Sequence, residues 1–276
     1  MLTRFLIYLC DVSPLARRVL WRWWYNRLAR RIGSERWSFM NYGVAWPESE
    51  PPVVLPPGDE PDRYCAQLYH RVARPGNLTG KDVLEVGSGR GGGASFVARF
   101  HAPARLTAVD YSPEAVALCL KRHRLPNLQF QQGDAENLPF ADASFDAVLN
   151  VESSHCYGSV ETFFREAARV LRPGGMFLLA DLREASDMVA LEHLLANQPA
   201  LEIVERENIT PLVLAALRAD DQRKRALIAE LIPQKQRAMF EEFAGLSGCR
   251  IQLGLEQGTL LYHRFALRRR TPSSPQ

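Results

Sequence analysis

The stretch VLEVGSGRGGGASFVARF, residues 83–100, sets five glycines within the seven positions 87–93, between an apolar run and a segment with helical patterning. Working outward, the same rhythm continues. Apolar runs at 83–86, 106–109, 128–130, 145–150 and 176–180 read as strands, and segments 90–100, 113–123 and 160–171 between them read as helices. Strands alternating with helices of about ten residues predict a mainly parallel sheet covered on both faces. Pro113 fits the first turn of its helix, where a missing amide costs nothing, and RPGG at 172–175 stops a helix before the next strand.

The flanking regions differ in composition. Residues 1–36 are helical in pattern, with Leu20, Trp24, Leu28 and Ile32 on one row and Arg18, Arg22, Asn26 and Arg30 opposite. Eight arginines face only Asp11 and Glu35 in this segment. Packing on the following domain, contact with an anionic membrane surface and contact with a second copy in a homo-oligomer all suit such a helix. Six prolines between Pro47 and Pro61 then make an extended strap, followed by a helix over 62–73. Residues 184–245 are expected to be helical, at 187–197 and 222–243, with no strand between. The tail is expected to supply two strands, 249–255 and 259–267. The domain expectation is therefore an N-terminal helix, strap and lid (1–75), a nucleotide-binding core (76–185), a helical covering insertion (186–245), and last strands with a polar tail (246–276).

Composition narrows the function classes. With 276 residues, 46% hydrophobic, 24% charged and a net charge of +3, the chain is ordinary for a globular protein and lacks the basic excess of a nucleic-acid binder. Five scattered cysteines include no C-x-x-C pair, which suits a reducing cytoplasm and argues against a metal site. The apolar run Phe5–Cys10 is too short for a signal-peptide core, and no run reaches the roughly 18 apolar residues of a membrane span.

The glycines alone leave the ligand open. Gly87, Gly89 and Gly92 satisfy the dinucleotide pattern G-x-G-x-x-G, whereas Gly87, Gly89 and Gly91 satisfy the G-x-G-x-G of an S-adenosylmethionine (SAM) site. Asp110, 23 residues beyond Gly87, suits the ribose hydroxyls of either ligand. Glu85 discriminates. A carboxylate two residues before the first glycine opposes a pyrophosphate and favours a ligand carrying an ammonium and a sulfonium. Asp134 and Ala135, in GDAENLPF, suit the adenine amine and a neighbouring ring nitrogen.

In order, LEVGSGRGG, AVDYSP, GDAENLPF, SFDAVLNVESSHCY and RVLRPGGMFLLADLR resemble a class I SAM-dependent methyltransferase over residues 80–183. The segments LCLKRHRLPNLQF, FMNYGVAWPE and EPDRYCAQLYHRVA are similar to the phthiotriol and phenolphthiotriol dimycocerosate methyltransferase group, which methylates lipophilic polyketide or fatty-acyl products. The resemblance implies a Rossmann-like, seven-stranded, mostly parallel sheet whose last strand is antiparallel. It places Glu85, Gly87, Gly89 and Gly91 around the methionine part of SAM, Asp110 at the ribose and Tyr111 on the adenine face. Asp134 and Ala135 fall at the adenine edge, and Asn150 faces the reaction centre. Methyl transfer needs no metal, so positioning and proton removal are the protein's tasks.

His155, five residues past the fourth strand, is the base candidate, with Glu152 as its orienting group or as a rim ion pair. Tyr42 and Trp46 suit either closure over an apolar acceptor or surface packing. The expected reaction is methyl transfer to a hydroxyl, or failing that a carboxyl, of a lipophilic small molecule. The alternatives are C-methylation of a sterol-like or prenylated acceptor, a nicotinamide oxidoreductase, and a SAM binder without transfer activity.

Overall fold

The computed structural model describes residues 37–271. Expectations for residues 1–36, including the amphipathic helix and its contacts, and for the last five residues lie outside it. Seven strands form one sheet: β1 (Asp82–Val86), β2 (Arg105–Asp110), β3 (Leu128–Gln132), β4 (Phe145–Val151), β5 (Leu171–Glu184), β6 (Leu201–Asn208) and β7 (Leu260–Arg269). Their spatial order is β3-β2-β1-β4-β5-β7-β6, with β7 antiparallel to both its neighbours. The chain moves outward from β1 to β3 and returns to β4, so its direction of travel reverses between β1 and β4. In such sheets ligands bind beyond the carboxyl ends of the strands at this reversal.

Eight α-helices accompany the sheet among the described residues: α1 (Arg63–Ala73), α2 (Gly92–Phe100), α3 (Pro113–Arg122), α4 (Val160–Val170), α5 (Ala185–Ala196), α6 (Thr210–Leu231), α7 (Arg237–Phe243) and α8 (Arg250–Gln257). Strand β1 is almost wholly buried because an apolar cluster covers each face of the sheet. One face carries α1, α2 and α6 residues such as Leu68, Phe96 and Val213; the other carries Phe163 and Phe164 of α4 against Phe177 of β5. Local signals set the helix starts. Ser112 accepts from the Ala115 amide at 3.0 Å ahead of Pro113, and Ser159 accepts from the Thr162 amide at 3.1 Å.

Three expectations are corrected. Residues 201–208, expected inside a helical insertion, form β6, an edge strand paired to β7. Its sequence LEIVEREN is charged because it faces solvent and because Glu207 meets the buried Arg71 and Arg264. Residues 249–255, expected as a strand, lie in α8, started by the Cys249 thiol accepting from the Gln252 amide and ended by Gly258 at φ +72°. The helix expected over 222–243 begins at Thr210 and is interrupted around Pro233. RPGG bulges within β5, where Phe145 pairs with Leu171 but Ala147 with Met176.

In the structure the strap takes in residues 37–61 and bonds to several of these elements. Ser38 accepts from the Gly92 amide, Val44 donates to Tyr64, and Ala45 donates to Leu212 of α6. Glu50 bridges Arg71 and Arg74, while Trp46 lies 5.4 Å from each guanidinium. Trp46 is thus engaged at the surface. No helix among the described residues is long and apolar enough to cross a membrane.

Candidate active site

The glycine turn between β1 and α2 is built from backbone. The amides of Gly87 and Ser88 both donate to the Val109 carbonyl, at 2.8 and 3.0 Å, which folds the turn over the end of β2. Gly87 has φ +82°, and a Cβ there would sit 2.1 Å from Ser153 Oγ, so two independent constraints exclude a side chain. Gly93 is constrained by space alone, since its added Cβ would meet the Tyr69 ring at 1.8 Å. At Gly89 the nearest atom to an added Cβ is Met40 Sδ at 3.8 Å, so its bare backbone faces open space. Gly91 caps α2 and packs toward Cys119 and His123, away from the cleft.

Two carboxylates stand behind and beside this turn. Asp110, ending β2, accepts from the amides of Gly89 (2.8 Å) and Ser112 (2.9 Å). Burial pushes its carboxyl up to about 6 against those two hydrogen bonds. Glu85 is 1% exposed and accepts from the Tyr69 hydroxyl at 2.8 Å. Burial pushes it up to about 7, the Tyr69 bond lowers it, and Asp110 raises it. Its Oε2, like Ser88 Oγ, is buried with no hydrogen-bond partner. Unused acceptors and proton-holding carboxylates are the environment a cationic ligand completes.

The loop after β4 forms the opposite wall. Asn150 is fully buried, and its amide donates to the Val86 carbonyl, Ser153 Oγ and the Tyr157 hydroxyl at 2.8–2.9 Å. It therefore supports the wall from behind rather than reaching the cleft. Glu152 has φ +49°, which turns its carboxylate toward the strap and β7. There Oε1 accepts from the Tyr42 amide and the Tyr262 hydroxyl, both at 2.8 Å. Burial pushes Glu152 up to about 7, against those bonds. Glu152 thus hydrogen-bonds Tyr42 and Tyr262, where the imidazole or a rim arginine was expected, and the carboxylate beside the imidazole is Asp181, which the sequence reading missed.

Asp181 sits near the end of β5, adjacent to β4, and is completely buried. Its Oδ1 lies 2.7 Å from His155 Nδ1, and its Oδ2 accepts from the His155 amide at 2.9 Å and from Ser154 Oγ. Burial alone would raise this carboxyl, but His155, Arg183 and the hydrogen bonds hold it down at about 2. Burial opposes charge on His155, yet Cys156 and Asp181 outweigh it and raise the imidazole well above its ordinary value. The available signal was topological: strands four and five are neighbours, so an acid at the end of LLAD meets the loop after the fourth strand.

Together these elements enclose an open cleft of about 1190 Å³ at the reversal of strand order. Gly87, Gly89, Asp110, Tyr111, Asp134, Ala135 and Glu152 line it, joined by Tyr69, Ser88, Arg90, Ser153, Cys156 and Tyr157. Glu85 and Asn150 stand behind the wall, and His155 lies between the lining residues Ser153 and Cys156 with its side chain 29% exposed. Asp134 accepts from the Glu136 amide at 3.0 Å, holding the far turn. Among the described residues no cluster of His, Cys, Asp or Glu is arranged to hold a metal.

A glycine turn over β1, an acid ending β2 and a cleft at the reversal of strand order define a class I SAM-dependent methyltransferase, and SAM is its cofactor. Residues 84–179 match the family described as methyltransferase domain. The chain is 44% identical over 248 residues to the phthiotriol/phenolphthiotriol dimycocerosates methyltransferase of Mycobacterium tuberculosis, covering 89% of this chain and 90% of that one. It belongs to that methyltransferase family. It is also 46% identical over 184 residues, 66% of each chain, to the fatty-acid O-methyltransferase of Mycolicibacterium smegmatis. The solved structure described as StiE O-MT shares the fold, with TM-score 0.65, 20% identity and 90% coverage of each chain.

Proposed function

We propose that the protein transfers a methyl group from SAM to a hydroxyl of a lipophilic acceptor of the polyketide or fatty-acyl class. The His155–Asp181 pair carries this reading, because a carboxylate-held imidazole next in the chain to the cleft-lining Cys156 suits removal of a hydroxyl proton. The relatives' names, which concern phthiotriol dimycocerosates and fatty acids, support the acceptor class.

Bound SAM supplies an electrophilic methyl group on a positively charged sulfur. Glu85, Gly87 and Gly89 hold its methionine end, with Gly91 fixing the helix start behind them. Asp110 takes the ribose hydroxyls, Tyr111 covers the adenine face, and Asp134 with Ala135 reads the adenine edge. Asn150 keeps Ser153 and Tyr157 in the wall beside the reacting centre. Asp181 accepts from Nδ1–H, which makes Nε2 the basic position of the ring. His155 would take the acceptor's proton there as the donor's methyl–sulfur bond gives way to the new bond to oxygen, sulfur keeping the electron pair and leaving as S-adenosylhomocysteine, and Asp181 would stabilise the imidazolium without itself being protonated.

The test is product analysis after incubation with labelled SAM and long-chain alcohols, in wild type, His155→Ala and Asp181→Asn. Both variants are expected to keep SAM affinity and to lose on the order of 10² to 10⁴ in rate. Because the imidazole is raised, wild-type rate climbs with pH to a midpoint above the ordinary histidine value near 6.5. Asp181→Asn removes the charge that raises it, so that midpoint moves down. Full O-methylation by His155→Ala would remove the base from this scheme, and label retained on carbon after ether cleavage would replace the hydroxyl with a carbon acceptor.

A further inference from the structure

A second pocket, partly open to solvent, adjoins the cleft. Met40 and Asn41 line both, so the two spaces share one stretch of strap as a wall. Most of the second lining is apolar, from Trp37, Phe39, Leu227, Ile228 and Phe243 among others. Tyr42, Cys65 and the paired Asp62 and Arg223 interrupt that surface, as do two less well partnered groups, Lys224 and Asn41.

Lys224 of α6 is 9% exposed, and among the described residues its ammonium reaches the carbonyls of Tyr42 and Ala244, at 3.5 and 3.4 Å. Both contacts are longer than the 2.7–3.2 Å of a well-made N–H···O bond. The nearby carboxylates are committed elsewhere, since Arg223 bridges Asp62 at 3.2 Å and Asp220 at 2.6 Å. The second group is Asn41 Oδ1, which is buried with no hydrogen-bond partner, while its amide makes only a 3.5 Å contact to Cys65 O.

One wall residue therefore offers donors alone and the other offers an unused acceptor. A hydroxyl is the small group that satisfies both, because it donates once and accepts twice. A carboxylate would satisfy Lys224 but set its charge against Asn41 Oδ1, and a plain alkyl chain would leave Asn41 Oδ1 unpaired and Lys224 with its two long carbonyl contacts alone.

From this we infer that the second cavity binds the acceptor's chain beyond the methylated atom and reads a second hydroxyl on it through Lys224 and Asn41. The preferred acceptor is thus a hydroxylated aliphatic chain with two oxygen functions, one for each cavity. This rests on the proposed acceptor class and adds a specificity element to it.

The experiment measures, by calorimetry, binding of hexadecanol and of a set of hexadecanediols differing in hydroxyl separation, to protein with and without S-adenosylhomocysteine. Methylation of the same compounds is followed in parallel. At one separation the diol is expected to bind about tenfold more tightly than the mono-alcohol, as one hydrogen bond to a charged group implies. Lys224→Met and, separately, Asn41→Ala are expected to erase that preference, with Lys224→Met keeping its affinity for S-adenosylhomocysteine as the check on folding. Equal binding of alcohol and diols by the wild type, or a preference that survives both substitutions, overturns the inference. Diol-selective binding without methylation would uphold it while removing the hydroxyl-transfer reading.

Discussion

The half of the molecule around β1–β3 and the half formed by the strap, β6, β7 and α6–α8 are built by different means. In the first, main chain shapes the turn. The amides of Gly87, Gly89 and Ser112 donate to Val109 O and to Asp110 at the end of β2, and Gly87 and Gly89 adopt backbone conformations that disfavour side chains. In the second, side chains from remote segments make the contacts: Glu152 with Tyr42 and Tyr262, Arg71 with Glu50 and Glu207, Lys224 with the Tyr42 and Ala244 carbonyls. The difference teaches that the first half is fixed mainly by backbone geometry, whereas the second is held by side-chain partners that have to change together.

The largest effect that divides the halves is expected from Gly87→Ala. It combines left-handed backbone strain with a clash against Ser153, about 3 kcal/mol together, and should lower SAM affinity by about 100-fold or more. Tyr262→Phe, which removes one bond to Glu152 in the other half, should leave SAM affinity within about threefold. Calorimetric titration of both variants breaks the comparison if they lose SAM equally.

A middle-sized effect concerns protons. Glu85 and Asp110 hold protons up to about 7 and about 6. A cationic ligand favours their ionised forms, so binding releases protons, and affinity rises with pH through that window by up to about tenfold per unit for one proton. Titrations in buffers of different ionisation heat measure the release. Proton uptake, or affinity independent of pH, would mean that these carboxylates do not meet a cation.

The smallest effect is expected from Glu152→Gln. Between the ordinary glutamate value of 4.5 and about 7, the folded chain keeps a proton that the unfolded chain has lost. Wild-type stability therefore falls as pH rises through this window, and the glutamine variant lacks that slope. With solvent access allowed for, the two should diverge by about 1 kcal/mol across it, read from denaturant unfolding at several pH values.

The same contrast explains what could be read from sequence. The strands β1–β4, the glycine turn, Asp110 and Asp134 were legible because each motif is local: cap, turn and strand end lie within a few residues of one another. The edge strand at 201–208 was not, since the charges that disguise it are neutralised by Arg71 and Arg264, far away along the chain. Nor was the Asp181–His155 contact, which spans 26 residues and depends on β4 and β5 being neighbours. Glu152 was recognised as a candidate, with the imidazole or a rim arginine open as its neighbour, and its left-handed backbone conformation directs it instead to partners 110 residues away in either direction.

One oxygen of Glu152 accepts from both Tyr42 and Tyr262 of β7, so two remote pieces of the second half meet at a single atom of the loop after β4. Anyone exchanging covering segments between relatives must therefore transplant residues 42, 152 and 262 together. A chimaera joined between them would keep the links from Ser38 to Gly92 and from Ala45 to Leu212 but strip the carboxylate of both its donors.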